Sequence, residues 1–219
     1  MDAGSGQGGQ VTEGDARRQL ADASRRVIAE LASSTAASAA FTEASGLVQQ
    51  AADLLAAATH GRPYEGAEAS LAAYQERMHI DHSPLVGMLN PLAPPIEMHV
   101  AGNAVTGTVT FGTAYEGPPG CVHGGFIAAA FDEVLGFGLS ITGRPGMTAR
   151  LAVDYRSPTP LHQPLLFEAE LDRVDGRKLY MKARLTVQAD GRLCAQAEGL
   201  FVSMNHEVFS RLMHNRLAD

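Results

Sequence analysis

No tryptophan occurs in this chain of 219 residues, and only 6% of its residues are aromatic. Cysteine is nearly missing too. Cys121 and Cys194 stand alone, without the close pairing a thiolate metal site needs and without the density of a disulfide framework. Both read as small, partly buried residues. His79 and His82 have helical i, i+3 spacing, but no Cys or carboxylate set completes a zinc site around them, so no metal is expected. Basic residues are the minority, 17 against 24 acidic ones, for a net charge of −7. No basic stripe is present, which argues against nucleic acid as a partner. The opening MDAGSGQGGQ has no basic segment followed by an apolar one, so it is not read as a secretory signal. Apolar runs of membrane-spanning length occur only in Ala- and Gly-diluted form, so no membrane span is expected. The expected compartment is the reducing cytoplasm.

What is present is ordinary globular material, 45% hydrophobic and 19% charged. The first dozen residues are rich in Gly, Ser and Gln and read as disordered. Two helical patterns follow. Ala16, Leu20, Val27, Ile28 and Leu31 mark the first, and Ala44, Leu47, Val48, Ala51, Leu54, Leu55 and Ala58 the second. Ser33, Ser34 and Thr35 separate them. The expectation is a helical hairpin whose apolar stripes need a partner surface. Residues 59–66 read as a linker, and residues 67–78 as a third short helix through Leu71, Tyr74 and Met78. Four prolines between Ser83 and Pro95 predict irregular chain.

From Ile96 the period changes to that of strands over residues 97–112, with Val105, Gly107, Val109 and Phe111 alternating. The run Glu116-Gly117-Pro118-Pro119-Gly120 is a strong turn signal. An apolar helix is expected from about Val122 to Ser140. Strand-like runs follow at about 148–157, 164–174, 178–188 and 191–203. Asp175-Gly176 and Asp190-Gly191 between the later runs predict two-residue hairpin turns and an antiparallel meander. One apolar helix among antiparallel strands implies an α+β fold, a sheet wrapped around a central helix.

That helix carries Phe126, Ile127, Phe131, Val134, Leu135, Phe137 and Leu139, so it is apolar nearly all round and belongs inside. Yet Asp132 and Glu133 stand in its middle. An unpaired charge there costs several kcal/mol or shifts its pKa. The helical neighbours of Asp132 are Gly125, Ala128, Ala129 and Gly136, all small. Something can approach this ridge closely. A ligand or partner helix, and a polar anchor bonded to nearby backbone, explain it equally well. At the helix start, Val122-His123-Gly124-Gly125 leaves backbone N–H groups open at the positive end of a helix dipole. Alone, this His-Gly-Gly is also what a Gly-rich turn with a structural His looks like.

The run YEGPPGCVHGGFIAAAFDEVLG resembles the active-site segment of the hotdog-fold acyl-CoA thioesterases, above all the branch with the mitochondrial thioesterase superfamily members 4 and 5. In that family a His-Gly-Gly opens the central helix and an acidic residue follows nine positions after the His, here Asp132. The branch has a Thr sixteen positions further on, here Thr148 in GMTARLAVDYRSPTPL. The resemblance covers about residues 84–204. With the composition and helical patterns of the first 80 residues, the chain divides into a disordered tail (1–13), a helical extension with linker (14–80), a hotdog domain (84–204) and a C-terminal tail (205–219). It implies hydrolysis of acyl-CoA to a carboxylic acid and CoA with no added cofactor, CoA being part of the substrate. By this resemblance the Gly125 N–H polarises the carbonyl, Asp132 acts as base or nucleophile, and Thr148 orients water or carboxylate. His123 and Gly124 shape the binding loop, His123 more as a structural residue than as a proton carrier. One departure stands out. Where the wider family has an Asn or Gln about six residues before the His, this chain has Glu116 and Gly117, so the second polarising donor stays unassigned.

Arg156, Arg177 and Lys178 are candidates for the CoA phosphates, although each also reads as a solvated surface charge. Gly125 and Asp132 lie seven residues apart, about 10 Å along a helix axis. One thioester cannot meet both on one helix, so the expected unit is a homodimer or dimer of dimers with its sites at the subunit interface. Other readings are a hydratase of the same fold, an acyl-CoA-binding module without turnover, and a dimerisation domain in which protein groups tie up Asp132.

Overall fold

The computed structural model describes residues 12–58, 83–144 and 146–204. The Gly/Ser-rich start, the linker, the third helix, the His79 and His82 pair and the C-terminal tail from residue 205 lie outside the described residues.

Two helices come first, α1 (Glu13–Ser33) and α2 (Ser38–Ala56). Thr12 starts α1 with a capping box: its hydroxyl accepts the Asp15 N–H while the Asp15 carboxylate takes the Thr12 N–H. The expected burial of both stripes is not what the single chain shows. In α1 only Ala21 is buried, and in α2 nothing is. Leu31, Leu47 and Leu54 are 60–77% exposed. A polar clasp, not the apolar stripe, ties α1 to the rest. The Arg25 guanidinium donates to the carbonyls of Gly87, Met88, Asn90 and Ala93, at 2.7–3.1 Å. The proline-rich stretch after residue 83 turns these carbonyls toward α1, and two of them, those of Gly87 and Asn90, also accept the N–H groups of Asn90 and Ala93.

The six strands are β1 (Glu97–Ala101), β2 (Ala104–Val109), β3 (Gly146–Tyr155), β4 (Leu165–Asp175), β5 (Lys178–Val187) and β6 (Leu193–Ser203). They form one antiparallel sheet in the order β1-β2-β4-β5-β6-β3. The meander β4-β5-β6 is as the sequence predicts. The first Asp-Gly pair leads into a two-residue turn made of Gly176 (φ +56) and Arg177, closed by the pairing of Asp175 with Lys178. The second does not. Residues 188–192 form a five-residue loop, because Val187 still pairs its N–H with the Arg192 carbonyl and Gly191 (φ +70) reaches back to Val187.

The apolar helix is α3 (Gly124–Gly138), continued by a 3-10 turn over Leu139–Thr142. By length and composition the stretch Gly124–Thr142 would suit a membrane. Here its apolar side packs on the sheet. Ile127, Ala130, Phe131, Val134 and Leu135 are buried against Phe167, Leu179, Met181, Leu185 and Phe201. Each large side chain so removed from water contributes about 1.5–3 kcal/mol. Phe131 meets Phe167 edge to face at 5.0 Å. Gly107 lets helix and sheet close up, since a Cβ there would lie 3.1–3.3 Å from Ile96, Met98 and Val134. This is the hotdog arrangement, a curled antiparallel sheet around one helix.

Candidate active site

The central helix is not buried on every side. Gly125, Ala128, Ala129, Asp132 and Gly136 all keep access to solvent, as do Phe126, Glu133 and Phe137 beside them, while Ile127, Ala130, Phe131, Val134 and Leu135 pack inward. The small ridge read from the sequence is thus part of the open side of the helix. Asp132 stands in the middle of it.

The ridge faces β3, which is an edge strand. Thr148 Oγ1 donates to Asp132 Oδ1 at 2.8 Å. A β-bulge makes this aim possible. The register runs Thr148↔Phe201 and then Arg150↔Leu200, so Ala149 is the extra residue. Such a bulge turns a side chain out of the regular alternation. Asp132 and Thr148 are therefore brought together as the sequence predicts.

The turn before the helix is closed on itself. Gly117 N–H donates to the Cys121 carbonyl and Cys121 N–H to that of Pro118, while Gly120 sits at φ +74. Glu116 Oε1 takes the Gly120 N–H at 2.6 Å. Gly117 is needed by contact, because a Cβ there would lie 2.7 Å from the His123 Cα. Glu116 and Gly117 thus build the loop, and neither is a donor for a ligand.

At the helix start the geometry differs from expectation. The Gly125 N–H, expected to face a carbonyl, donates to His123 Nδ1 at 3.0 Å. His123 is the N-cap of α3. Capping by a side-chain acceptor satisfies one of the orphan N–H groups of a first turn. A neutral imidazole accepting at Nδ1 must carry its proton on Nε2. The Phe126 N–H goes to the His123 carbonyl. The Gly124 N–H finds no acceptor among the described residues. The free donor of this turn is therefore Gly124, one residue earlier than the sequence pattern led us to place it. Tyr155, at the far end of β3, donates its hydroxyl to the Gly124 carbonyl at 2.8 Å and fixes that peptide. The sequence reading missed Tyr155, and a lone Tyr near a strand end carries no signal by itself.

Glu133 points elsewhere. Its carboxylate accepts the Ser83 hydroxyl at 3.0 Å. Burial pushes its pKa up, the Ser83 hydrogen bond opposes this, and the charge of Asp132 adds to the rise. Beside it, Phe126 packs on Tyr115 at 5.0 Å, and the Tyr115 hydroxyl donates to the Leu92 carbonyl. Burial pushes the Tyr115 hydroxyl up to about 12, a rise that the Arg25 charge opposes.

The three basic candidates do not meet in one chain. Arg177, whose Nε donates to the Ser203 carbonyl, and Lys178 lie where β6 ends and β3 begins. Arg156 follows the other end of β3 and pairs with Asp154 at 3.2 Å. The length of β3 separates them, about 30 Å at ~3.3 Å per residue. A polar groove of ≈ 770 Å³ lies on the opposite face of the sheet, between Glu168, Glu170, Lys182, Arg184 and Glu198. These charged residues alternate with Phe167 and Leu185, which belong to the core; Ala169, Ala183 and Ala197 also line the groove, and neither Asp132 nor Thr148 does. No cluster of three or more His, Cys, Asp or Glu suited to a metal occurs among the described residues.

Residues 119–195 match the sequence profile of the Thioesterase superfamily. The acyl-coenzyme A thioesterase THEM4 of Xenopus laevis is 34% identical over 93 residues, 42% of this chain and 42% of that protein. THEM5 of Homo sapiens is 29% identical over 96 residues, 44% of this chain and 39% of that protein. The chain thus spans about two-fifths of the length of the curated relatives it matches. A crystal structure of a thioesterase superfamily protein shares the fold at a TM-score of 0.72 and 36% identity, over 85% of this chain and 94% of its own. Such coverage exceeds what residues 83–204 alone supply, so the likeness takes in part of the N-terminal extension as well. With that breadth of match, this chain belongs to the thioesterase superfamily.

Proposed function

We propose that this protein hydrolyses acyl-CoA thioesters to free acid and CoA. One observation carries the reading: a carboxylate on the open side of the central helix, held by a threonine hydroxyl, with a free N–H at the start of that same helix. The names of its relatives, acyl-coenzyme A thioesterases, point the same way. In this reading the Gly124 N–H and the helix dipole stabilise the oxyanion. Asp132 takes a proton from water as the new C–O bond forms. The C–S bond then breaks and the sulfur leaves as CoA thiol, with the proton returned from Asp132. Thr148 keeps the carboxylate in one orientation. In this reading no cofactor takes part, since CoA is itself part of the substrate. The two unpaired thiols, Cys121 and Cys194, favour the cytoplasm as its place of work.

The working unit in this proposal is a dimer. Gly124 and Asp132 are eight residues apart, about 12 Å along the axis, so one helix cannot bring both to one carbonyl. Two antiparallel α3 helices, facing each other by their small strips, put each N-terminus beside the other's Asp132. The edge strand β3 supports this. It is ten residues long with free backbone on one side, and Met147 and Tyr155 are more than half exposed. The same pairing would bring Arg156 of one subunit toward Arg177 and Lys178 of the other, where the CoA phosphates need them.

The deciding experiment is a thiol-release screen over short, long and aromatic acyl-CoAs. Release from one class at enzymatic rates is expected. Tight CoA binding without any release would mark a binding module instead, and hydration of an enoyl-CoA would mark a hydratase.

A further inference from the structure

Glu133 plays no part in the chemistry above, yet it is a half-buried carboxyl in the turn of helix that carries Asp132. Its surroundings are specific. Ser83 Oγ donates to Glu133 Oε1 at 3.0 Å and accepts the N–H groups of Leu85 and Val86 at 3.2 and 3.3 Å. The Gly87 N–H closes on the Ser83 carbonyl, and Ile96 N–H on that of Leu85. This turn is itself gripped from outside by Arg25 on α1, through the carbonyls of Gly87, Met88, Asn90 and Ala93. Ser83 is thus a fixed point, 6% exposed, and not a loose surface hydroxyl.

Asp132 and Glu133 project about 100° apart around the axis. Helix α3 is therefore held against rotation on two neighbouring sides, by Thr148 through Asp132 and by Ser83 through Glu133. The first restraint is weak alone, because Thr148 is exposed and on an edge strand. A rotation of about 10° would move a carboxylate some 6 Å from the axis by about 1 Å, and a misplacement of that size can cost about 10²-fold in rate. We propose that Glu133 is a positioning residue for Asp132: its hydrogen bond from Ser83 sets the rotation of the catalytic helix, and the Arg25 clasp makes the N-terminal extension part of that support. The inference rests on the thioesterase reading of the site.

The test uses the full chain, three single variants, Glu133→Gln, Glu133→Ala and Ser83→Ala, and the Ser83→Ala/Glu133→Ala double variant. Glutamine keeps an oxygen to accept the Ser83 hydroxyl, so it should hold kcat within about threefold of the parent protein. Alanine at 133 should lower kcat by about 10–100-fold with KM changed less than about twofold, since a positioning loss falls on the transition state. Ser83→Ala should show the same split. In its background Glu133→Ala should cost little more, because the link is already cut. If Glu133→Ala does not fold, Ser83→Ala and Glu133→Gln still decide the matter. An unchanged kcat in Ser83→Ala, a glutamine variant with kcat more than about tenfold down, or a loss carried by KM would each overturn the proposal. A parent protein without thiol release would instead sink the proposed function.

Discussion

Thr148 Oγ1 donates to Asp132 Oδ1 across the gap between an edge strand and the central helix, at 2.8 Å. A hydroxyl that donates here leaves the second carboxylate oxygen open for a water. The bond orients the carboxylate without neutralising it. Asp132→Asn should therefore lose turnover by about 10²–10⁴-fold while CoA binding persists, the usual range for loss of a general base. Thr148→Ala should cost less, and the loss should fall on kcat more than on KM. Steady-state kinetics with CoA titration separates the two. Wild-type rates in Asp132→Asn would move the base elsewhere. A Thr148→Ala change confined to KM would make the threonine a substrate contact.

The His123 side chain caps the helix whose N-terminus is the proposed oxyanion site. As a cap, its removal should cost about 0.5–2 kcal/mol of stability in His123→Ala, and His123→Asn should restore most of it, since Asn is a favoured N-cap. Chemical denaturation measures both effects, and kcat/KM shows whether activity follows them. If activity follows stability across the two variants, the imidazole shapes the turn. A stable but inactive His123→Asn would show that the imidazole also takes part in the reaction.

The half-buried Glu133 makes a pH prediction with a definite sign. Its folded pKa is raised above the ordinary carboxylate value, with burial as the main cause. The folded state therefore binds the proton more tightly than the unfolded chain. That contribution to stability is fully present below the unfolded pKa of about 4.3 and is lost as pH rises through the raised folded value. Glu133→Gln lacks the titration. Its melting temperature relative to the parent protein should climb across the weakly acidic range and then level off. A difference that stays flat with pH would show that Glu133 is not held as a raised carboxyl.

The fold was legible because its signals are local and repeated. Alternation in β4, β5 and β6 and the apolar run of α3 each fix one element. The Asp132–Thr148 pair was legible only through the family pattern, since spacing along the chain says nothing of a bulge at Ala149. At the helix start the expected donor was the Gly125 N–H, which the structure pairs with His123. His123 and both glycines fit either register, and only the imidazole's bond to the Gly125 N–H shows which donor is free. The Arg25 clasp and the Ser83–Glu133 bond were not legible at all. Both join residues at least 50 positions apart, and a lone Arg or Ser in a polar helix or loop looks like solvated surface. The apolar stripes of α1 and α2 were legible as stripes in need of a partner surface, and in the single chain most of that surface stays exposed.

The shared site gives the sharpest test of assembly. In the proposed dimer each centre takes its oxyanion donor from one subunit and its carboxylate from the other, as an isologous two-fold contact provides. Two inactive proteins are then complementary. Asp132→Asn lacks the base. Gly124→Val lacks room at the helix start, because even a Cβ at 124 would lie 3.3 Å from the Tyr155 hydroxyl. Each homodimer should be inactive. A mixed dimer carries one centre with both defects and one with neither, so it should work at about half the parent dimer's rate. With equal mixing and random exchange, half of all dimers are mixed, so activity should recover to about a quarter of the parent rate. Native mass spectrometry on the same mixture confirms that subunits have exchanged. Exchange without recovered activity would mean that each site lies within one chain, and a verified monomer with full activity would mean the same.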